Sequence, residues 1–350
     1  MSLPCGIRNY TYDTDMAIMR TKTQWVLFIV FIIALFTIPL YFGNYWLSVF
    51  NLIGITLIAA IGLNILVGYC GQLSIGHAGF IAVGAYTAAI LTNRFELPFL
   101  VGLISAGVTS GIIGLIFGLP SVRVKGFYLA ITTIAAQFII LWVINHWGLT
   151  GGMVGIKVPY ASIAGFEFSS RSSQYYLVIV IAVLCVFFAK NLTRTKVGRA
   201  FIAIRDNDLA AEVMGINLLY YKLLAFFIGC FFAGIAGALL AHCYYSMLLG
   251  EYFSFTESIL YVGMIIIGGL GTGLGPILGV VFIRLLHQIL TVEVIPLLES
   301  TEILPAGFAS GLTPMLFGLV IVLFLILEPR GLAHRWSLFK ASYRLWPFSY

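Results

Sequence analysis

The chain has 350 residues, 61% hydrophobic and 9% charged, with a net charge of +6. A soluble domain carries about 25% charged residues, so a soluble globular protein is excluded and an all-α polytopic membrane protein is expected. Most of the Lys and Arg flank apolar runs, where orientation in a lipid bilayer accounts for them; the positive charge is not read as a nucleic-acid surface, and no nucleic acid is expected as a partner.

The N-terminal segment, 1–24, carries Arg8, Arg20 and Lys22. The apolar run behind it is too long for a signal-peptide core and lacks a small-residue cleavage site, so it reads as a span. Requiring about 17 to 25 mainly apolar residues per crossing gives ten spans: 25–42, 46–67, 77–93, 98–119, 127–148, 175–190, 222–243, 257–271, 274–291 and 311–327. Those at 77–93 and 257–271 are short, and each reads either as a crossing or as a re-entrant or broken segment. An N-terminus in the cytoplasm puts most of the 19 basic residues on that side, including Arg123, Lys125, Arg194, Lys196, Arg199, Arg205, Arg330 and Arg335. Only Arg94, Lys157 and Arg171 then fall outside, with Arg284 inside a span. The positive-inside rule thus predicts an even number of crossings, both termini cytoplasmic, a membrane domain over 25–327 and a tail over 328–350.

The second span runs into a cluster in which Gly68, Gly71, Gly76, Gly79 and Gly84 interrupt apolar sequence beside Gln72, Ser74 and His77. Two readings stand: close helix packing through small residues, or locally unwound backbone lining a transport path. His77 reads as a hydrogen-bonded packing residue or, with no acid nearby in sequence, less readily as a proton relay. In the fourth span Gly107, Gly111, Gly114 and Gly118 fall close to one stripe, a packing pattern. Thr132, Thr133 and Gln137 then form a polar stripe within the next apolar helix and should face the bundle interior. The external loop opens on Leu149–Ile156, where Gly151, Gly152 and Gly155 mark an ordinary turn or a platform for an external protein.

The interval 194–217 is the only long stretch where charge and helical patterning coexist. Ala200, Ile204, Ala211 and Met214, with Ile202 and Leu209, recur at roughly helical spacing, until Gly215 and Asn217 stop the pattern. So short a helix is marginal alone in water; it should rest on the membrane part of its own chain or on a soluble partner, unless it is only a solvated basic loop. A second glycine cluster, Gly268–Gly275 before Pro276, lacks the Gly-Lys-Ser/Thr ending of a phosphate loop and the spacing of a dinucleotide fingerprint. It reads as a tight turn or a second broken-helix junction. The exterior segment 292–310, with Glu293, Glu299 and Glu302, reads as a solvated loop. Cys5, Cys70, Cys185, Cys230 and Cys243 show neither a disulfide framework nor metal-ligand spacing, so no metal is expected.

Taken together, Gly68–Thr87, Leu149–Gly152 with Gly155–Ile156, Gly198–Gly215, and Glu257–Ser258 with Gly268–Thr272 resemble the permease of branched-chain (hydrophobic) amino acid ABC transporters, the LivM-type subunit. The resemblance covers about 46–330. It implies a multi-pass protein of the bacterial inner (plasma) membrane, whose segment 194–217 docks on a separate ATPase through Arg199, Arg205, Asp206, Asn207, Ala210, Ala211, Glu212 and Gly215. The order Ala210-Ala211-Glu212 departs from the Glu-Ala-Ala loops of related importers. Further implications are ATP bound at the partner ATPase subunits and no cofactor on this chain, a second, LivH-like permease, and an external solute-binding protein. The small-molecule substrate is then a branched-chain or hydrophobic amino acid, although similar subunits carry urea or short amides. The substrate path is expected at Gly71, Gln72, Ser74, Gly76, His77, Gly79, Thr132 and Gln137.

Two other classes compete. An ion-coupled carrier places ionisable residues in mid-membrane, and here only Arg284, Glu257 and His77 qualify. A membrane enzyme needs a nucleophile with its base, or a metal cluster, and no such spacing occurs.

Overall fold

Backbone amides in lipid must bond within their own segment, and the apolar runs accordingly fold as helices. The computed structural model describes residues 22–122, 126–163, 165–294 and 309–345. Arg8, Arg20, Arg123, Lys125, Glu299, Glu302 and the last five residues of the expected tail lie outside them. In chain order the helices are α1 (Lys22–Tyr41), α2 (Asn44–Leu63), α3 (His77–Arg94), α4 (Phe99–Gly118), α5 (Phe127–His146) and α6 (Arg171–Leu192). There follow α7 (Lys196–Asp206), α8 (Asp208–Val213), α9 (Leu218–Leu239), α10 (Phe255–Gly268), α11 (Gly275–Ile289), α12 (Ala309–Leu327) and α13 (Leu332–Leu345). α2 and α9 each end in a wider π turn, Asn64–Tyr69 and Leu240–Tyr244.

Among the described residues six helices are long and apolar enough to cross a membrane: Asn44–Tyr69, α4, α5, α6, Leu218–Tyr244 and Gly275–Val292. The pair Pro314–Leu327 and Leu332–Ser342, bent by 42°, would make a seventh. The expected ten therefore divide. α3 has only 18 residues and is polar at both ends, from His77 to Asn93 and Arg94, while α10 has 14 residues; these are the two segments already short in sequence. The apolar part of α1, Trp25–Tyr41, is also short of a full span.

α2, α3 and α9 form the centre, with α4 against α9 and α3, α6 against α2, and the α10–α11 hairpin against α2. Small residues decide how close they come. A side chain at Gly84 would overlap the backbone of Gly234, and one at Gly234 would overlap the carbonyl of Ala106. The stripe in α4 meets α9, as its spacing predicts: a Cβ at Gly107 would sit 2.8 Å from the Phe231 ring and one at Gly111 2.8 Å from that of Phe227. Outside the bundle, Ile156–Lys157 (β1) pairs antiparallel with Met247–Leu248 (β4), and Ser162–Ile163 (β2) with Phe166–Glu167 (β3). The Leu149–Ile156 stretch is thus an ordered turn, with Gly151, Gly152 and Gly155 at positive φ.

Candidate functional site

The segment 194–217 folds as a chain of capped helices. Thr195 accepts from the Gly198 amide (3.5 Å) to start α7, Asn207 from the Ala210 amide (3.1 Å) to start α8, and Asn217 from the Tyr220 amide (3.1 Å) to start α9. Gly215, at φ +85°, turns the chain between the last two. Ala200, Phe201, Ile204 and Ala211 are buried against the bundle, whereas Leu209, Val213 and Met214 are 66%, 87% and 82% exposed. Leu209 and Met214 therefore do not continue the buried stripe that their spacing suggests. The break at Asn207 resets the helical phase, and α8 turns its larger apolar side chains outward. Arg199, Asp206, Asn207, Ala210 and Glu212 are exposed beside them.

Arg205 connects this segment to both glycine clusters. Its Nη1 donates to the Gly68 carbonyl at 3.0 Å, and its Nε and Nη2 donate to Asp206 Oδ1 at 3.0 and 2.9 Å. Gly71, at φ +73°, leaves room for the Arg205 stem: a Cβ there would lie 2.9 Å from its Cγ. A Cβ at Gly271, in the second cluster, would lie 2.6 Å from Arg205 Nη1. Asn64 joins the two clusters directly, accepting from the Gly271 amide (3.0 Å) and donating to the Thr272 carbonyl (3.1 Å). Gln72 donates to the Lys222 carbonyl (3.2 Å), and Lys222 pairs with Asp208 (3.5 Å). A polar cavity of about 350 Å³ lies among Gly71, Gln72, Gly126, Arg205, Asp208 and Lys222.

Deeper in the bundle, side chains take up amides at the start of α3. Thr133 accepts from the Ile75 amide (3.0 Å) and Ser258 from the Ala78 amide (2.9 Å). Ser258 in turn donates to Gln137 Oε1 (2.8 Å), and Gln137 donates to the Phe253 carbonyl (3.0 Å). Orphan helix-start donors buried in an apolar bundle need such partners. Of the polar stripe, Thr133 and Gln137 belong to this network, whereas Thr132 bonds its own Leu129 carbonyl (2.7 Å). Gly76 and Gly79 lie against α5: a Cβ at Gly76 would overlap the Thr133 carbonyl, and one at Gly79 would lie 2.9 Å from Gln137 Cα. His77, fully buried, bonds the Ala59 carbonyl through Nε2 (3.0 Å), and its ring meets that of Tyr261 at 69° with centroids 6.1 Å apart. Among the described residues Gln72 Oε1, Ser74 Oγ and His77 Nδ1 are buried without a hydrogen-bond partner.

Sequence reasoning named Ser258 only within the resemblance, with no role, and left Arg284 and Glu257 apart. The structure pairs Arg284 with Glu257 at 3.3 Å. The available signal was antiparallel geometry: the two residues lie at similar distances from the Gly268–Gly275 turn of one helical hairpin. No group of His, Cys, Asp and Glu among the described residues could hold a metal.

Residues 45–327 match the model of the family described as the branched-chain amino acid transport system permease component. The high-affinity branched-chain amino acid transport system permease protein LivM of Salmonella typhimurium (strain LT2) is 32% identical, over 79% of this chain and 67% of that one. LivM of Escherichia coli (strain K12) is 31% identical over the same shares. The permease protein LivH of the same Salmonella typhimurium strain is 24% identical, over 63% of this chain and 76% of that one.

Proposed function

The chain belongs to the family of branched-chain amino acid transport permease components, and from that premise we propose that it is one of two unlike membrane subunits of an ATP-driven importer for branched-chain or other hydrophobic amino acids. The observation that carries the reading is the two-sidedness of 194–217. One face is buried on the bundle and reaches both helix breaks through Arg205. The other presents Leu209, Val213 and Met214 to solvent, an apolar patch suited to a protein partner, and we assign that partner as an ABC ATPase. A push on α8 would then reach Gly68 and Gly271 through α7 without passing through mobile loops. Ser74 and Gln72, buried with unpaired polar atoms, support a solute path along the first break, because such atoms cost about 1–3 kcal/mol unless something pairs with them. The exposed Met153 and Val154 beside β1 suit delivery by an external solute-binding protein.

The test is uptake of labelled L-leucine by cells expressing the chain with its partner subunits. Uptake that collapses on ATP depletion but survives an uncoupler supports the importer. The reverse pattern would identify an ion-coupled carrier.

The proposed topology places α7 and α8 in the cytoplasm with both termini, and counts the short helices α3 and α10 as crossings completed by their glycine-rich extensions. Reporter fusions after Ser169 are expected to score external, and fusions after Arg199 and Arg335 internal. An external score at Arg199 would remove α8 from reach of any cytoplasmic ATPase.

A further inference from the structure

A second cavity, about 190 Å³, lies among Ala78 at the start of α3, Tyr245 and Tyr252, and Glu257, Tyr261 and Arg284 on the α10–α11 hairpin. Arg284 is held from one side, where its Nε donates to Thr56 Oγ1 at 3.1 Å, and its Nη2 reaches Glu257 Oε2 at 3.3 Å. The Arg284 side chain is only 9% exposed and that of Glu257 31%. Tyr245 and Tyr252 stack with ring centroids 4.3 Å apart and planes 8° from parallel, adding an aromatic wall.

With Arg284 buried and Glu257 only partly exposed, the ion pair is a poor stabiliser. Desolvation costs several kcal/mol per ion, and a well-packed apolar pair of the same volume is often as stable or more so. Its presence in a chain with so little charge in the bundle points to a use for the charges themselves. An α-amino acid carries the complementary pair on one carbon: a carboxylate for the guanidinium fork, which binds planar carboxylates in two-point fashion, and an ammonium for the Glu257 carboxylate. An apolar side chain then meets the tyrosine wall, where an aromatic face accepts it without a specific contact.

We propose that Arg284 and Glu257 form a binding station for the zwitterionic backbone of the transported amino acid. The incoming carboxylate takes the place of Glu257 on Arg284 while the ammonium takes the place of Arg284 on Glu257. Each charge stays paired throughout the exchange, so no unpaired ion is left in the low-dielectric bundle. The station rests on the importer reading above and adds to it the two residues that would hold the solute's carboxylate and ammonium.

The experiment uses the complete complex, permease pair with ATPases, in proteoliposomes with its solute-binding protein and labelled L-leucine. The double variant Glu257→Met/Arg284→Met removes both charges and preserves bulk, which a merely structural pair should tolerate. The expected result is wild-type assembly with uptake reduced roughly tenfold or more. Wild-type uptake by the assembled double variant would overturn the station and leave the pair structural. Should the double variant fail to assemble, Glu257→Gln decides, since it keeps an acceptor oxygen for Arg284 but offers no charge to an ammonium. Uptake lowered roughly tenfold at normal assembly supports the station, and unchanged uptake overturns it. A wild-type complex that hydrolyses ATP without accumulating L-leucine would instead count against the importer reading, and the station would fall with it.

Discussion

Arg205→Glu is expected to lower uptake roughly tenfold or more while the permease still inserts and accumulates normally. The guanidinium bonds the Gly68 carbonyl and Asp206 at once and lies against Gly71 and Gly271. A carboxylate there would face the partly negative Gly68 oxygen and the Asp206 carboxylate, and would remove a side chain that touches both helix breaks. The ion pair with Asp206 contributes little to stability because both groups are partly exposed, 37% and 62%, and exposed pairs are typically worth about 0–1 kcal/mol. The loss should therefore appear in transport and in the coupling of ATP hydrolysis to it, not in folded yield. Reconstituted complexes assayed for uptake and for ATP hydrolysis stimulated by the solute-binding protein check this. If both activities matched the wild type, Arg205 would have no part in transmission. Proline at Ala210 is the weaker variant: α8 begins at Asp208, so the change deletes the cap bond from Asn207, about 1 kcal/mol, and interrupts no helix interior.

Gly76→Val is expected to abolish both the folded subunit and uptake. The first added carbon would collide with the Thr133 carbonyl oxygen, a backbone atom that cannot rotate away. Forcing the start of α3 off α5 would also strain the amide bonds to Thr133 and Ser258. Overpacking of this kind costs about 1–3 kcal/mol when neighbours can yield and more when they cannot. Close helix approach at Gly76 and Gly79 stands beside the reading of these glycines as pathway residues, and assembly of the variant distinguishes the two. Gly273→Val, where no atom lies within 4 Å of the added carbon, is the matched control and should be tolerated. Size-exclusion profiles of the solubilised complex, read beside uptake, separate the cases. A monodisperse, fully assembled Gly76→Val complex without uptake would support the pathway role.

The sequence by itself determined the membrane class, most helix positions, the small-residue stripe of α4 and the presence of a charged, helically patterned segment over 194–217. Each of these is local, a matter of hydropathy over about 20 residues, of small-residue spacing, or of apolar residues recurring at helical spacing among charges. Tertiary structure decided what lies beside what. The two glycine clusters are some 200 residues apart in sequence, yet they meet because Asn64 and Arg205 reach both. Thr133 joins the polar network and Thr132 does not, because one position along a helix rotates a side chain by about 100°, and only the placement of α3 shows which of the two faces it. Leu209 and Met214 leave the buried stripe because a single capping residue, Asn207, restarts the helical phase. Arg284 and Glu257, isolated charges along the chain, become a pair only when the α10–α11 hairpin folds back on itself, since an ion pair is fixed by distance in space and leaves no periodic mark in sequence.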